Sequence, residues 1–187
     1  MANRAVFLDR DGTIIEEVNY LRRIEEMTVF PFSAEALRKL TEAGFLNVVV
    51  TNQSAIARGY LDEAELKTIH EELARRLERE GARIDAFYHC PHHAEATVEK
   101  YRKVCGCRKP RAGLIFQAAS DLEIDVKASF VVGDRTGDIG AGREAGCRSV
   151  LVKTGYGETT LDEASDLHPD HVAANLLEAA KWIVRQE

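Results

Sequence analysis

With 187 residues, 45% of them apolar, the chain can bury one sizeable core, and its length argues for a single domain spanning 1–187. A net charge of −6 speaks against a nucleic-acid partner, because phosphate-backbone binding depends on clustered Lys and Arg. The first residues run straight into a short apolar strand and no later segment approaches membrane-span length, so a cytoplasmic protein that works as a monomer, with no membrane partner, is expected.

In chain order, Ala5-Val6-Phe7-Leu8 reads as a buried strand, followed by a polar stretch from Asn19 to Glu26. Helical spacing predicts a helix over 34–43, with Ser33 as its N-cap and Gly44 as its stop, leading into a strand over 46–50. Asp62 is placed to cap a long helix carrying Leu66, Ile69, Leu73 and Leu77 on one face; Gly81 ends it before a strand over 86–88. The stretch 90–110 has no period and is expected to be an insert, after which Leu114, Ile115, Ala118, Ala119 and Leu122 form another helical stripe. The strand 130–132, a short helix ending at Gly146, the strand 150–152 and a last helix capped by Asn175 and running through Val184 complete the order. Five strands alternating with helices imply an α/β, Rossmann-like three-layer sandwich with a mostly parallel sheet, whose ligands bind beyond the carboxyl ends of the strands.

Chemistry-bearing residues cluster at those ends. Asp9 and Asp11 follow the first strand, Thr51-Asn52-Gln53-Ser54 the second, and Asp134 and Asp138 the fourth. One carboxylate of the Asp9-x-Asp11 pair can attack phosphorus while the other handles the proton at the leaving oxygen. Asp9, Asp11 and Asp134 are hard oxygen ligands whose crowding calls for a cation such as Mg²⁺. Thr51 and Lys109 can then act on the phosphoryl oxygens, and Asp138 either orients Asp134 or starts a helix. In the insert, Cys90-x-His92 and Cys105-x-Cys107, twelve residues apart, offer the four ligands of a closed structural Zn²⁺ site, although His93 could replace His92 by spacing alone. Cys147 has no partner at ligand spacing and reads as a small buried residue.

Asp9-Arg10-Asp11-Gly12-Thr13, Thr51, Lys109 and Gly133-Asp134-x-x-x-Asp138, in that order, resemble the haloacid dehalogenase superfamily over nearly the whole chain. The resemblance implies a phosphoric monoester hydrolase with Asp9 as nucleophile, Asp11 as acid and base, Thr51 and Lys109 as phosphate stabilisers, and Mg²⁺ held by Asp9, Asp11 and Asp134, with Asp138 nearby. Further runs, Thr51-Asn52-Gln53-Ser54-x-Ile56-Ala57-Arg58-Gly59, Cys90-Pro91-His92-His93 and Cys107-Arg108-Lys109-Pro110, are similar to members without a large cap domain. They imply His92 as the zinc ligand, a phosphorylated sugar as the small-molecule substrate, and substrate contacts from Glu17, Val18, Asn19, Tyr20, Asn52, Gln53, Ser54, Arg108 and Arg135. Relatives acting on histidinol phosphate share these motifs, with a spacer about half as long in the zinc insert, so the longer spacer here favours a sugar bisphosphate. A non-catalytic zinc-binding protein of the same fold is the alternative from another class, and it would be expected to have lost one of Asp9, Asp11, Lys109 or Asp134.

Overall fold

The computed structural model describes residues 2–163 and 168–186. Six strands, β1 (Arg4–Leu8), β2 (Phe45–Asn52), β3 (Ala86–Cys90), β4 (Phe130–Gly133), β5 (Arg148–Val152) and β6 (His171–Ala173), form one sheet in the order β3-β2-β1-β4-β5-β6. Every pairing between these strands is parallel, so the expected sheet is found, with no antiparallel member among the described residues. The sixth strand, only three residues long, and the helix before it were not anticipated. Alternate residues of β1 serve opposite faces: Val6 and Leu8 join one apolar cluster, Ala5 and Phe7 the other. Both faces of the sheet are therefore covered, which is why its central strands read as continuous apolar runs and not as alternating ones.

On the first face lie α1 (Ser33–Glu42), α3 (Glu63–Arg79) and α7 (Leu176–Val184); on the second lie α4 (Gly113–Asp121) and α5 (Thr136–Ala145). Two short helices, α2 (Ser54–Ala57) and α6 (Gly157–Glu163), follow β2 and β5. α3 begins as expected: the Asp62 carboxylate accepts from the Glu65 amide at 2.8 Å, and the Glu65 carboxylate accepts from the Asp62 amide at 2.7 Å. A cap of this kind contributes about 1 kcal/mol. Leu66, Ile69, Leu73 and Leu77 are buried along one face of the helix. Asn175 likewise caps α7, accepting from the Glu178 amide at 3.1 Å. Ser33 is different. It is the first helical residue of α1, not its cap, and its hydroxyl donates to the Ile14 carbonyl at 2.8 Å. Ser33 thus ties α1 to the turn after β1 instead of closing its own helix.

Candidate active site

The strand order reverses between β1 and β4, since β1 leads to β2 on one side while β4 lies on the other. In open α/β sheets this switch point, beyond the carboxyl ends, is where a crevice opens. Here it is a cleft of about 390 Å³ whose lining includes Asp9, Asp11, Thr51, Lys109 and Asp138. The Asp9 amide donates to the Val132 carbonyl at 2.9 Å, so the nucleophile candidate sits directly beyond β1, tied to β4. Gly12, with φ at 77°, turns the chain away behind it; a Cβ there would collide with the Asp134 carboxylate.

Lys109 links the carboxylates. Its ammonium donates to Asp9 Oδ1 at 2.9 Å, to Asp138 Oδ1 at 2.6 Å and to the Val50 carbonyl at 2.8 Å. The two buried anions raise the lysine's pKa against the desolvation that would lower it, and Lys109 stays charged. Asp9 Oδ1 also accepts the Arg10 amide at 2.8 Å. Burial, only partly offset by Lys109, pushes the Asp9 carboxyl up to about 6. Asp138 resolves the two readings open to it: Oδ2 accepts the Arg135 amide at the start of α5, at 2.9 Å, while Oδ1 holds Lys109. It starts the helix and orients the lysine rather than Asp134.

Asp134 is wholly buried, with Oδ2 accepting the Tyr156 amide at 2.7 Å and Oδ1 meeting no donor among the described residues. Burial, reinforced by Asp9 and Asp138, pushes its carboxyl up to about 8. An orphaned, buried carboxylate oxygen beside two further acidic groups is what a divalent cation would relieve, and hard oxygen donors suit Mg²⁺. Carboxylate oxygens of Asp9, Asp134 and Asp138 lie within 4.8 Å of one another. The carboxylate of Asp11 does not join them. It accepts from Arg10 Nη2 at 2.9 Å, Arg10 Nε at 3.1 Å and Gln53 Nε2 at 2.9 Å, so the expected magnesium set is only partly assembled from side chains.

The carboxyl end of β2, which includes Thr51 and Asn52, and the residues just beyond it work largely inward. Thr51 Oγ1 accepts from Gln53 Nε2 at 2.8 Å, which leaves its own proton available to the cleft. Asn52 clamps the Lys109 peptide from both sides: its Nδ2 donates to the Lys109 carbonyl and its Oδ1 accepts the Lys109 amide, each at 3.1 Å. The amides of Asn52 and Gln53, expected on the substrate, are thus spent on positioning, while Ser54 stays on the cleft wall. Of the loop expected to meet substrate, Glu17, Asn19 and Tyr20 line the cleft, and Val18 is 39% exposed outside that lining. Asn19 and Tyr20 take positive φ angles of 51° and 78°. Glu17 pairs with Arg135 at 3.3 Å, and the Arg135 guanidinium lies 3.8 Å from the centroid of the Tyr156 ring. Arg135 therefore pins the loop to the far wall.

The four expected zinc ligands lie together, as their spacing implies. Cys90 Sγ lies 3.6 Å from His92 Nδ1, 3.5 Å from Cys105 Sγ and 3.1 Å from Cys107 Sγ. Cys105 and Cys107 are 3.2 Å apart, and Cys107 is 3.3 Å from His92 Nδ1. A tetrahedron of ligands about 2.3 Å from zinc has edges of roughly 3.7 Å, so a slight expansion accommodates the ion. His93 is outside the cluster; its Nδ1 accepts the Glu95 amide at 3.1 Å and the residue lines the cleft. The zinc loop reaches the site through Arg108, whose Nη1 donates to the His92 carbonyl at 3.1 Å. Cys147 is buried, as expected.

Sequence reasoning missed three titratable side chains in the cleft lining. Arg58 and His93 line the opening beside Arg108. Arg10, 1% exposed, is one of the largest fully buried side chains and reaches His70 on α3. Arg58 stands in a quoted motif and could have been singled out by its charge; no local spacing connects Arg10 with His70.

The HAD-hydrolase-like family model matches residues 106–179. A D-glycero-D-manno-heptose-1,7-bisphosphate 7-phosphatase of Thermosynechococcus vestitus (strain NIES-2133 / IAM M-273 / BP-1) is 38% identical over 190 residues, covering 98% of this chain and 96% of that protein. A D-glycero-beta-D-manno-heptose-1,7-bisphosphate 7-phosphatase of Pasteurella multocida (strain Pm70) is 44% identical over 153 residues, covering 81% and 83%. Among solved structures, the D,D-heptose 1,7-bisphosphate phosphatase of B. bronchiseptica complexed with magnesium and phosphate superposes with a TM-score of 0.87 at 32% identity, over 98% of this chain and 99% of that one. Phosphatases of this kind use Mg²⁺, which the buried acidic cluster fits, and the Cys90, His92, Cys105 and Cys107 cluster fits Zn²⁺. The chain belongs to the haloacid dehalogenase-like hydrolases and is a phosphoric monoester hydrolase.

Proposed function

We propose that the chain removes the 7-phosphate of D-glycero-D-manno-heptose 1,7-bisphosphate through an aspartyl-phosphate on Asp9, in cytoplasmic nucleotide-heptose synthesis, acting as a single domain of residues 1–187 and as a monomer. The observation that carries the reading is the buried group at the switch point, in which Lys109 bridges Asp9 and Asp138 while an oxygen of Asp134 is left without a donor. Relatives named for this substrate, matching over nearly the whole chain, supply the sugar.

In this account Asp9 Oδ1, already accepting from Lys109 and the Arg10 amide, stays fixed while Oδ2 attacks phosphorus. Lys109 and the Thr51 hydroxyl stabilise charge developing on the phosphoryl oxygens. Asp11 gives its proton to the departing O7 as the P–O bond breaks, then takes one from the water that hydrolyses the aspartyl-phosphate. Asp9 and Asp134, with Asp11 and Asp138 close by, would hold Mg²⁺, which would supply charge neutralisation at the phosphoryl group. Glu17, Val18, Asn19 and Tyr20 would form the sugar side of the cleft, with Asn52, Gln53 and Ser54 on its floor. Arg108 and Arg135 would meet the second phosphate, as fork-shaped donors suited to such an anion.

The test is phosphate release, in Mg²⁺, from both anomers of the heptose bisphosphate and from histidinol phosphate, with the position of the remaining phosphate read by NMR. Faster turnover of a heptose bisphosphate with the 1-phosphate retained is expected. Equal or better turnover of histidinol phosphate, or loss of the 1-phosphate, would overturn the substrate assignment.

A further inference from the structure

Asp11 is held by a buried polar relay that ends on a residue of another helix. Arg10 grips both oxygens of the carboxylate, through Nη2 at 2.9 Å and Nε at 3.1 Å, while its own side chain is 1% exposed. Gln53 closes a triangle: Nε2 donates to Asp11 Oδ2 at 2.9 Å, and Oε1 accepts from Arg10 Nη2 at 3.1 Å. The remaining arm, Arg10 Nη1, lies 3.2 Å from His70 Nε2. His70 is 6% exposed on α3 and stacks on Phe87 of β3, with ring centroids 4.5 Å apart.

An arginine has donors only, so His70 Nε2 must accept here, which requires the neutral ring with its proton on Nδ1. Burial, then the Arg10 charge, keep the ring neutral. Without that acceptor, a buried guanidinium arm has no partner at this end, and the arginine gains by turning toward another one. Any such turn carries the Asp11 carboxylate with it. A shift of about 1 Å in a catalytic group can cost on the order of 10²-fold in rate.

We infer that His70 is a positioning residue for the acid-base chemistry, acting through Arg10 and with Gln53 to fix the Asp11 carboxylate, although it touches neither Asp11 nor substrate. The inference rests on the reading of Asp11 as the acid that protonates the leaving oxygen. In that step the Asp9–phosphorus bond forms, the bond from phosphorus to the leaving oxygen breaks, and the Asp11 proton passes to that oxygen. An alkoxide leaving group needs the proton; a nitrophenolate leaves nearly unaided. A misplaced Asp11 should therefore harm one substrate and spare the other, whereas general loosening of the cleft would harm both.

The experiment compares kcat/KM on the heptose bisphosphate and on p-nitrophenyl phosphate for the full chain with Mg²⁺ and Zn²⁺, in the unmodified protein, His70→Leu and His70→Gln. The His70→Leu change should lower kcat/KM about 10- to 100-fold on the sugar phosphate and under about threefold on the aryl phosphate. His70→Gln, whose amide oxygen can still accept from Arg10, should return to within about threefold on both. Equal losses on the two substrates, or full activity of His70→Leu, would overturn the inference. Should His70→Leu not fold, His70→Phe, which keeps a ring against Phe87 and offers Arg10 no acceptor, enters the same comparison with the same expected selective loss. If the unmodified protein releases no phosphate in Mg²⁺, it is the phosphatase reading that fails, a result separate from either of these.

Discussion

Lys109 has three acceptors before any substrate arrives: Asp9, Asp138 and the Val50 carbonyl. The aspartates were legible because each lies in a short motif just after a strand, and the lysine because it stands in Cys107-Arg108-Lys109-Pro110 at the end of the insert. The groups that hold them were not, since Val50 acts through its backbone and Asn52 looks like a ligand-facing amide until its two bonds to the Lys109 peptide are seen. His70 was invisible for another reason. It falls on the buried stripe of α3, where sequence alone gives no sign that its partner is an arginine 60 positions earlier. Its effect on stability can be worked out. Burial and Arg10, with a further contribution from His89, lower the His70 pKa from its ordinary 6.5 to about 2. Below pH 6.5 the unfolded chain takes up a proton that the folded one refuses, so stability present above 6.5 is lost as the pH falls toward 2. At about 1.4 kcal/mol per pH unit, the loss from this group between pH 7 and pH 5 is about 2 kcal/mol. Urea unfolding of the unmodified protein and His70→Gln at both pH values should show the substituted protein losing about 2 kcal/mol less; parallel losses would show that His70 titrates normally.

At the scale of elements, the 90–110 stretch brings four candidate zinc ligands together from its two ends. Its cysteines and His92 announced themselves by spacing, and the structure separates His92 from His93 by placing only the former among the thiols. Zinc removal should act on stability first, because structural zinc sites couple metal binding to folding. It should also act unevenly on catalysis. Arg108 hangs on the His92 carbonyl, whereas Lys109 keeps its clamp from Asn52. A zinc-selective chelator, with Mg²⁺ kept in excess, is expected to lower Tm by about 10 °C and to raise KM for the sugar bisphosphate several-fold more than it lowers kcat. An unchanged melting curve after verified zinc loss would contradict this. The unanticipated β6 is a three-residue edge strand, two of whose residues are only half-buried, too short for a periodic signal. Ser33 was misread because a serine before an apolar stripe normally caps it, and here the turn after β1 competes for its hydroxyl.

Over the whole molecule, alternation of strands and helices was enough to expect a parallel sheet, since crossover connections leave few other arrangements. Strand order was less accessible. Placing β1 between β2 and β4 sets Asp9 beside the ends of both neighbouring strands, and residues more than a hundred positions apart then share one buried charge cluster. The cluster gives the account its central claim, that Asp9 is the group phosphorylated. Mg²⁺-dependent phosphate release by Asp9→Asn, against the unmodified chain at saturating heptose bisphosphate, tests that claim most directly. An amide of nearly the same shape cannot form the aspartyl-phosphate, so kcat should fall by at least about 10³-fold. Turnover by Asp9→Asn within tenfold of the unmodified chain would contradict it.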